Sequence, residues 1–445
     1  MAFRKTVAAF ATAASLLGGT SAGAQALPPI ISTAGDDSPI ENGALSAIGS
    51  LVGGLRLDAS INTLYDSNLL RLGDGFPPNG GASKSDVRIS PSVRASFGKA
   101  IGRQEFYASG IVGRDYFINN SNRNRNNYGV NGGVNWRLGT RCSGDVSGSF
   151  NSRQQLFSEV SFASVNVQEQ LSFGGSAICR TATGIGFGGS IRRSTTRNDN
   201  PDRISFDTNS TSFSPQLSYG NPTLGQFSLS GSFSQARYPA RFIINNAGAQ
   251  QPDGVDIMSG RFGYQRGLGG RLSVNFGVSY FDVTPTPADI LVPIAPGIGI
   301  PLTRESQSNL GYDVGVSYNS GSRLTADITA RKSAQASINV GAQYQVVQAI
   351  AGNIGYRLNR AIGLTSGVSY TQRDYRNSFT SIEEPTRRLQ DKIARIFAGL
   401  SYSPGTLYSV SGDISYQDRK SNPDDYSFKS FAATLRLRAG FGGRG

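Results

Sequence analysis

The chain has no histidine among its 445 residues. That absence removes the Ser-His and Asp-His hydrolase arrangements, and with them the usual proton shuttle and metal ligand. No enzyme activity is expected, and no catalytic, cofactor-binding or metal-binding residue is assigned. Asp199 and Asp202 flank Pro201, and Asp424 adjoins Asp425; both carboxylate pairs read as solvated loop charges. No P-loop or dinucleotide fingerprint is present. Long apolar runs are also missing: beyond the N-terminal region, no stretch reaches the ~18 consecutive apolar residues a membrane helix needs. The formal net charge is +13, yet no DNA- or RNA-binding motif accompanies it, so nucleic acid is not an expected partner. An anionic surface such as lipopolysaccharide, or an acidic polysaccharide, fits the charge better. The basic residues could equally just decorate loops.

What the chain has in quantity is alternation of period two. In the last segment Phe431, Ala433, Leu435, Leu437, Ala439 and Phe441 alternate with Ala432, Thr434, Arg436, Arg438 and Gly440. Such a period makes a strand with one oily and one wet face. Arginines on the wet face suit a water-filled lumen whose other side meets lipid. The same rhythm runs through Leu55–Asn62, Val87–Phe97, Tyr128–Leu138, Leu272–Tyr280 and Leu310–Tyr318. A mean hydropathy of −0.26 is what results when only half of the strand residues face lipid.

The N-terminus fits export. Arg4 and Lys5 precede the apolar run Val7–Leu17, followed by small residues with possible cleavage at Ala22-Gly23-Ala24 or Ala24-Gln25-Ala26. This reads as a signal peptide over residues 1–24, giving Sec-type export to a Gram-negative outer membrane. A Pro/Gly/Asp-rich linker over 25–50 is too short for a plug domain. The barrel is expected over 51–441, with 442–445 as a tail.

The connections alternate between two kinds. Short ones are turn-like, as in Gly139-Thr140-Arg141 and Gly267-Leu268-Gly269-Gly270; long polar ones include Asn119–Asn127, Thr195–Arg203 and Arg373–Arg387. Short periplasmic turns opposite longer outer loops define a transmembrane antiparallel up-and-down β-barrel, all-β, of about 18 strands. Sixteen is the alternative, because Ser333–Gln348 can be divided in more than one way. Trp136, Tyr219, Tyr264, Tyr318, Tyr356 and Tyr402 end strands before short turns, and Tyr65, Phe150, Tyr280, Tyr370 and Tyr416 before long loops. Two aromatic girdles are the expected result.

Cys142 opens the fifth expected strand and Cys179 closes the sixth, so the two would meet at the periplasmic end of one hairpin. A disulfide is the candidate; two unpaired thiols are the alternative. By parity, Arg56, Arg88, Arg94, Arg137, Arg192, Arg323, Arg357, Arg395, Arg436 and Arg438 point into the lumen, together with Asp58, Asp86, Asp145, Asp313, Asp327 and Asp413. They could form an anion-favouring wall or a salt-bridge lattice that only rigidifies the lumen. The oily Pro287–Leu302 segment could fold inward as a constriction, dock a partner, or rest on lipid or a neighbouring loop.

The segment Tyr65–Gly75, YDSNLLRLGDG, and the rhythm of Gly363–Tyr375, GLTSGVSYTQRDY, resemble the β-barrel porin family often encoded within exopolysaccharide biosynthesis operons. The resemblance implies an outer-membrane barrel that assists polysaccharide export, with outer-membrane lipid, the barrel assembly machinery and export components as partners. It implies no catalytic residues. Barrels of this kind usually end on an aromatic read by the assembly machinery. Here the matching residue is Phe441, followed by Gly442-Gly443-Arg444-Gly445. Two functions stay open: a channel or accessory for exopolysaccharide export or small-solute passage, and a structural or surface-interaction barrel with an occluded lumen.

Overall fold

The computed structural model describes residues 54–442 apart from 74–81, 155–164, 246–247, 296–297, 322, 338–341, 343, 377–388, 406 and 423. The signal-peptide and linker assignments, and the tail beyond Gly442, lie outside the described residues.

Twenty strands form one continuous antiparallel sheet. They are β1 (Gly54–Asp66), β2 (Asp86–Ile101), β3 (Gln104–Phe117), β4 (Arg125–Leu138), β5 (Cys142–Gln154), β6 (Val167–Arg180), β7 (Ile185–Asn198), β8 (Thr208–Asn221), β9 (Gly225–Asn245), β10 (Gln250–Leu268) and β11 (Leu272–Thr286). Then follow β12 (Asp289–Ala295), β13 (Ile298–Thr303), β14 (Gln307–Asn319), β15 (Leu324–Ala336), β16 (Tyr344–Arg357), β17 (Ile362–Arg376), β18 (Gln390–Tyr402), β19 (Tyr408–Asn422) and β20 (Phe428–Gly442). Strand β11 pairs directly with β14, so β12 and β13 are a hairpin outside the wall. The other eighteen strands close into a barrel through the β1–β20 seam, which runs from Arg56↔Gly442 to Asp66↔Ala432. The seam pairs the first and last wall strands, so neither is left as a free edge.

The alternation explains the closed sheet. On β1 Leu55, Leu57, Ala59 and Ile61 point outward and are exposed, while Asp58 and Asn62 point inward and are buried. Register keeps each face intact from strand to strand: Ala59 opposes Val93 on one side and Ala439 on the other. The outer face is therefore a band of exposed Leu, Ile, Val and Phe, as a bilayer requires. The aromatics expected to edge this band all lie on the outward face, and Tyr65, Tyr280, Tyr370, Tyr416 and Tyr402 are exposed there. The turns at the end expected to face the periplasm are tight, and Gly102, Gly139 and Gly269 adopt positive φ of 62°, 62° and 59°, which glycine allows without a Cβ clash.

Cys142 and Cys179 are register partners on β5 and β6 and form a disulfide, with Cα atoms 4.0 Å apart. Phe441 lies on the outward face of β20 opposite Leu57. The Pro287–Leu302 segment forms the β12–β13 hairpin, which docks on the tip of β9 through Ile290↔Asn245 and Leu291↔Ile244.

Candidate functional site: the barrel lumen

The inner wall changes character along the barrel axis. At the periplasmic end its side chains are wet: Arg137 on β4, Arg357 on β16, Thr365 on β17 and Ser401 on β18 are exposed. At the outer end the same faces are packed. On β17 Thr371, Arg373 and Tyr375 are buried, on β18 Asp391 and Ile393, on β19 Gln417, Arg419 and Ser421, on β20 Phe428, Ser430 and Ala432. An eighteen-stranded barrel is too wide for wall side chains alone to fill. Backbone must enter the lumen.

The upper part of β15 and β16 does so. Pairing between β14 and β15 stops at Tyr312↔Lys332, whereas β15 and β16 stay paired up to Ala336↔Tyr344. Above Lys332 β15 parts from β14 and the sheet turns inward, while β16 stays paired with β17 up to Tyr344↔Arg376. The side that faces lipid lower down, represented here by Ala334, Ala336, Tyr344 and Val346, packs on inward-facing Ala236, Val255, Ile257, Phe281 and Val283 of β9, β10 and β11. Lys332 Nζ donates to Asn309 Oδ1 at 2.9 Å where the strands part. The Tyr344 hydroxyl donates to Gln307 Oε1 at 2.6 Å, and the Tyr238 hydroxyl donates to the Ser337 carbonyl. Apolar residues inside a polar lumen thus have a reason: they seat an inturned hairpin.

Buried carboxylates fix the rest of the outer end. Asp391 accepts from the Tyr375 hydroxyl at 2.7 Å, Arg419 Nη2 at 2.7 Å and Ser421 Oγ at 2.6 Å, which ties β17, β18 and β19 together. Asp253 on β10 pairs with Arg304 at 2.9 Å and Arg241 at 3.4 Å, and the Arg241 guanidinium lies 4.0 Å from the Tyr238 ring centroid. Asp66 pairs with Arg71 at 2.7 Å and accepts from Ser430 Oγ and the Asn68 amide. Arg71 takes a φ of 55°, a conformation that costs on the order of 1 kcal/mol and is held here by that ion pair. Asp86 accepts from the backbone amides of Asn119 and Asn120, both at 2.9 Å, anchoring the β3–β4 loop. In that loop, burial pushes the Arg123 guanidinium below its ordinary value, and the charge of Asp86 opposes the shift.

The arginines expected to line the lumen divide into three groups. Arg56, Arg94, Arg436 and Arg438 are neighbours on β1, β2 and β20, and Arg88 stands further toward the outer end, opposite Leu64. Asp58 pairs there with Arg56 and Arg438, both at 3.1 Å, and stands opposite Arg94 in the ladder. Buried Nε and Nη2 of Arg88 and Nε of Arg436 have no hydrogen-bond partner among the described residues. Arg137, Arg192, Arg357 and Arg395 also lie on the inner face but are dispersed over β4, β7, β16 and β18. Arg192 and the inward Gln170 of β6 stay exposed, so a wet path continues up that side. Arg323 stands at the mouth, one residue before β15, where its amide donates to Ser320 Oγ and its carbonyl accepts from the Arg357 amide at 2.7 Å. Among the expected inward aspartates, Asp313 makes a two-pronged pair with Arg261 at 2.6 and 2.7 Å, a lattice element.

Sequence reading missed Asp253, Asp391, Arg419 and the inturned hairpin. Parity alone could have flagged Asp391 and Arg419, charged residues at the loop ends of inward rows. The Asp253–Arg304 pair spans a loop, and no spacing announces it.

No known protein-family model matches the chain, and no curated protein matches it. Among solved structures, the outer membrane protein OpdK of Pseudomonas aeruginosa is similar over 87% of this chain and 99% of its own, at 10% identity and a TM-score of 0.42. The siderophore receptor PirA of the same species is similar over 87% and 80%, at 12% identity and 0.42. The siderophore receptor PiuA of Acinetobacter baumannii is similar over 87% and 82%, at 9% identity and 0.46. Likeness at this level concerns the outer-membrane β-barrel architecture alone.

Proposed function

We propose that this barrel is an outer-membrane conduit for an anionic cargo, entered from the periplasm and closed at its outer mouth when idle. An exported polysaccharide bearing carboxylate or other acidic groups is the cargo class that suits it. The reading involves no chemical conversion. One observation carries it: inward side chains of β4 and β16–β18 are exposed on the periplasmic side, Arg137 and Arg357 among them, whereas the outer ends of β17–β20 are packed. The partnerless guanidinium nitrogens of Arg88 and Arg436 add support, since a buried donor without an acceptor is costly unless a ligand supplies one. The upper β15 edge is held to the inner wall of β9–β11 by apolar packing and no ladder joins it to β14, so that contact can be undone while β16 stays paired with β17.

A second reading has its own observation. Asp253 and Asp391 are fully buried and held by two or more partners each, as a permanently occluded structural barrel would have them.

Single-channel recording in a planar bilayer separates the two. Under the conduit reading, the refolded chain conducts rarely or at a low level. Phe281→Ala, which loosens the hairpin seat, then raises the open time at least tenfold, with anion selectivity. If neither protein ever conducts after verified insertion, the conduit reading fails and the structural barrel stands.

A further inference from the structure

We infer that the lipid-facing wall carries a binding furrow for a phosphorylated lipid of the outer leaflet, namely lipopolysaccharide, with an acyl chain along the furrow and a phosphate at Arg114. The inference rests on outer-membrane placement and not on the transport reading.

The furrow has a volume of about 860 Å³ and crosses β19, β20, β1, β2, β3 and β4 on the outside of the barrel. Its course is a single row of register partners, Tyr408↔Ala439↔Ala59↔Val93↔Val112↔Tyr128. With ~4.8 Å between strands, that row is roughly 24 Å long, enough for an extended acyl chain. Strand tilt carries it obliquely, from the periplasmic first residue of β19 to the outer end of β4. The sequence makes it concave. Ala439 and Ala59 offer only methyl groups, while Leu437 and Ile61 on the neighbouring row stand taller.

Pro91 deepens it. Proline has no amide to give the ladder, and the β2–β3 register skips from Ile89↔Tyr116 to Ser92↔Gly113. A Cβ on Gly113 would come within 2.8 Å of the Pro91 carbonyl and 2.9 Å of Ser92 Cβ, so the wall can close in only because glycine stands there.

The polar end is at the outer leaflet. Arg114 lines the furrow beside Asn126, its register partner. Its side chain is exposed on the outward face, and its guanidinium lies 5.3 Å from the Tyr116 ring centroid. An outward arginine at the level of lipid headgroups is within reach of their phosphates, and no carboxylate pairs with it among the described residues. A lipid phosphate accepts the two-pronged hydrogen bonds that a guanidinium offers. Tyr116 and Tyr128 flank that contact as girdle residues do.

Native mass spectrometry of the full chain in detergent, titrated with hexa-acylated lipid A or with phosphatidylglycerol, tests this. Wild-type protein is expected to retain one lipid A under collisional activation that strips phosphatidylglycerol. Arg114→Ala is expected to lower the bound fraction about tenfold, as loss of a charge-assisted contact does. Ala59→Trp, which fills the floor with no change of charge, is expected to do the same, and Lys99→Ala at the periplasmic end of β2 to leave binding intact. Retention of lipid A no better than phosphatidylglycerol by the wild-type chain overturns the inference. So does undiminished retention by both variants. A barrel that never conducts still answers the question.

Discussion

The two halves of the lumen use the same residue types to opposite ends. In the outer half, arginine and aspartate are buried as partners: Arg419 with Asp391, Arg304 and Arg241 with Asp253, Arg71 with Asp66. In the periplasmic half, Arg137 and Arg357 face water, while Asp58 is buried and, like the outer carboxylates, paired, here with Arg56 and Arg438. Buried charge demands partners, whereas solvated charge is free to meet a cargo. Placement along the strand, and not composition, decides whether an inward arginine is a fastener or a contact.

That contrast can be broken most sharply at a fastener. Replacing Asp253 with Ala strands two buried guanidinium groups and is expected to cost about 3–5 kcal/mol. A urea titration of the inserted barrel, followed by its gel mobility before and after heating, should show the loss. Equal stability of variant and wild type would mean that Asp253 fastens nothing.

A smaller loss, about 3 kcal/mol, is expected for Phe281→Ala, which leaves a void under the inturned hairpin. Hydrogen exchange should then accelerate at residues 344–348 while the β1–β20 seam stays protected. Uniform acceleration would show that the hairpin is an integral part of the wall.

A smaller effect on stability, about 2 kcal/mol, is expected for the double replacement Arg436→Ser and Arg438→Ser, which removes the Arg438 pair with buried Asp58. Here the change should appear in ion preference, with reversal potentials moving toward cation selectivity in any conducting preparation. A large drop in stability would class these two arginines with the fasteners.

Much of the fold was readable from alternation. Period-two runs from Leu55 to Phe441, two classes of connection and aromatics at strand ends led to eighteen wall strands, and the wall has eighteen. The place where the count wavered, Ser333–Gln348, is where β15 parts from β14 and turns inward with β16 still paired to β17. Alternation persists through Ala334, Ala336, Tyr344 and Val346, but the face that should meet lipid meets the inner wall of β9–β11 instead. A strand's period reports two faces and is silent on what each face touches. The complementary cue, apolar Val255, Phe281 and Val283 on inward positions, lies some fifty to ninety residues away in sequence and is joined to the hairpin only by closure. The lumen arginines were legible as a face, while their division into contacts and fasteners depended on loops whose geometry no spacing encodes.

The β1–β20 seam has a consequence in time. Its partners sit at opposite ends of the barrel sequence, Arg56 beside Gly442 and Asp66 beside Ala432. Strand β1 therefore emerges first and has its mate last, after every other hairpin has been delivered. Throughout that interval its free edge, a row of unsatisfied amides and carbonyls, is a template for any passing strand. Pairing of β20 with β1 is what removes that edge, so the seam that closes the wall also ends the chain's exposure to wrong partners.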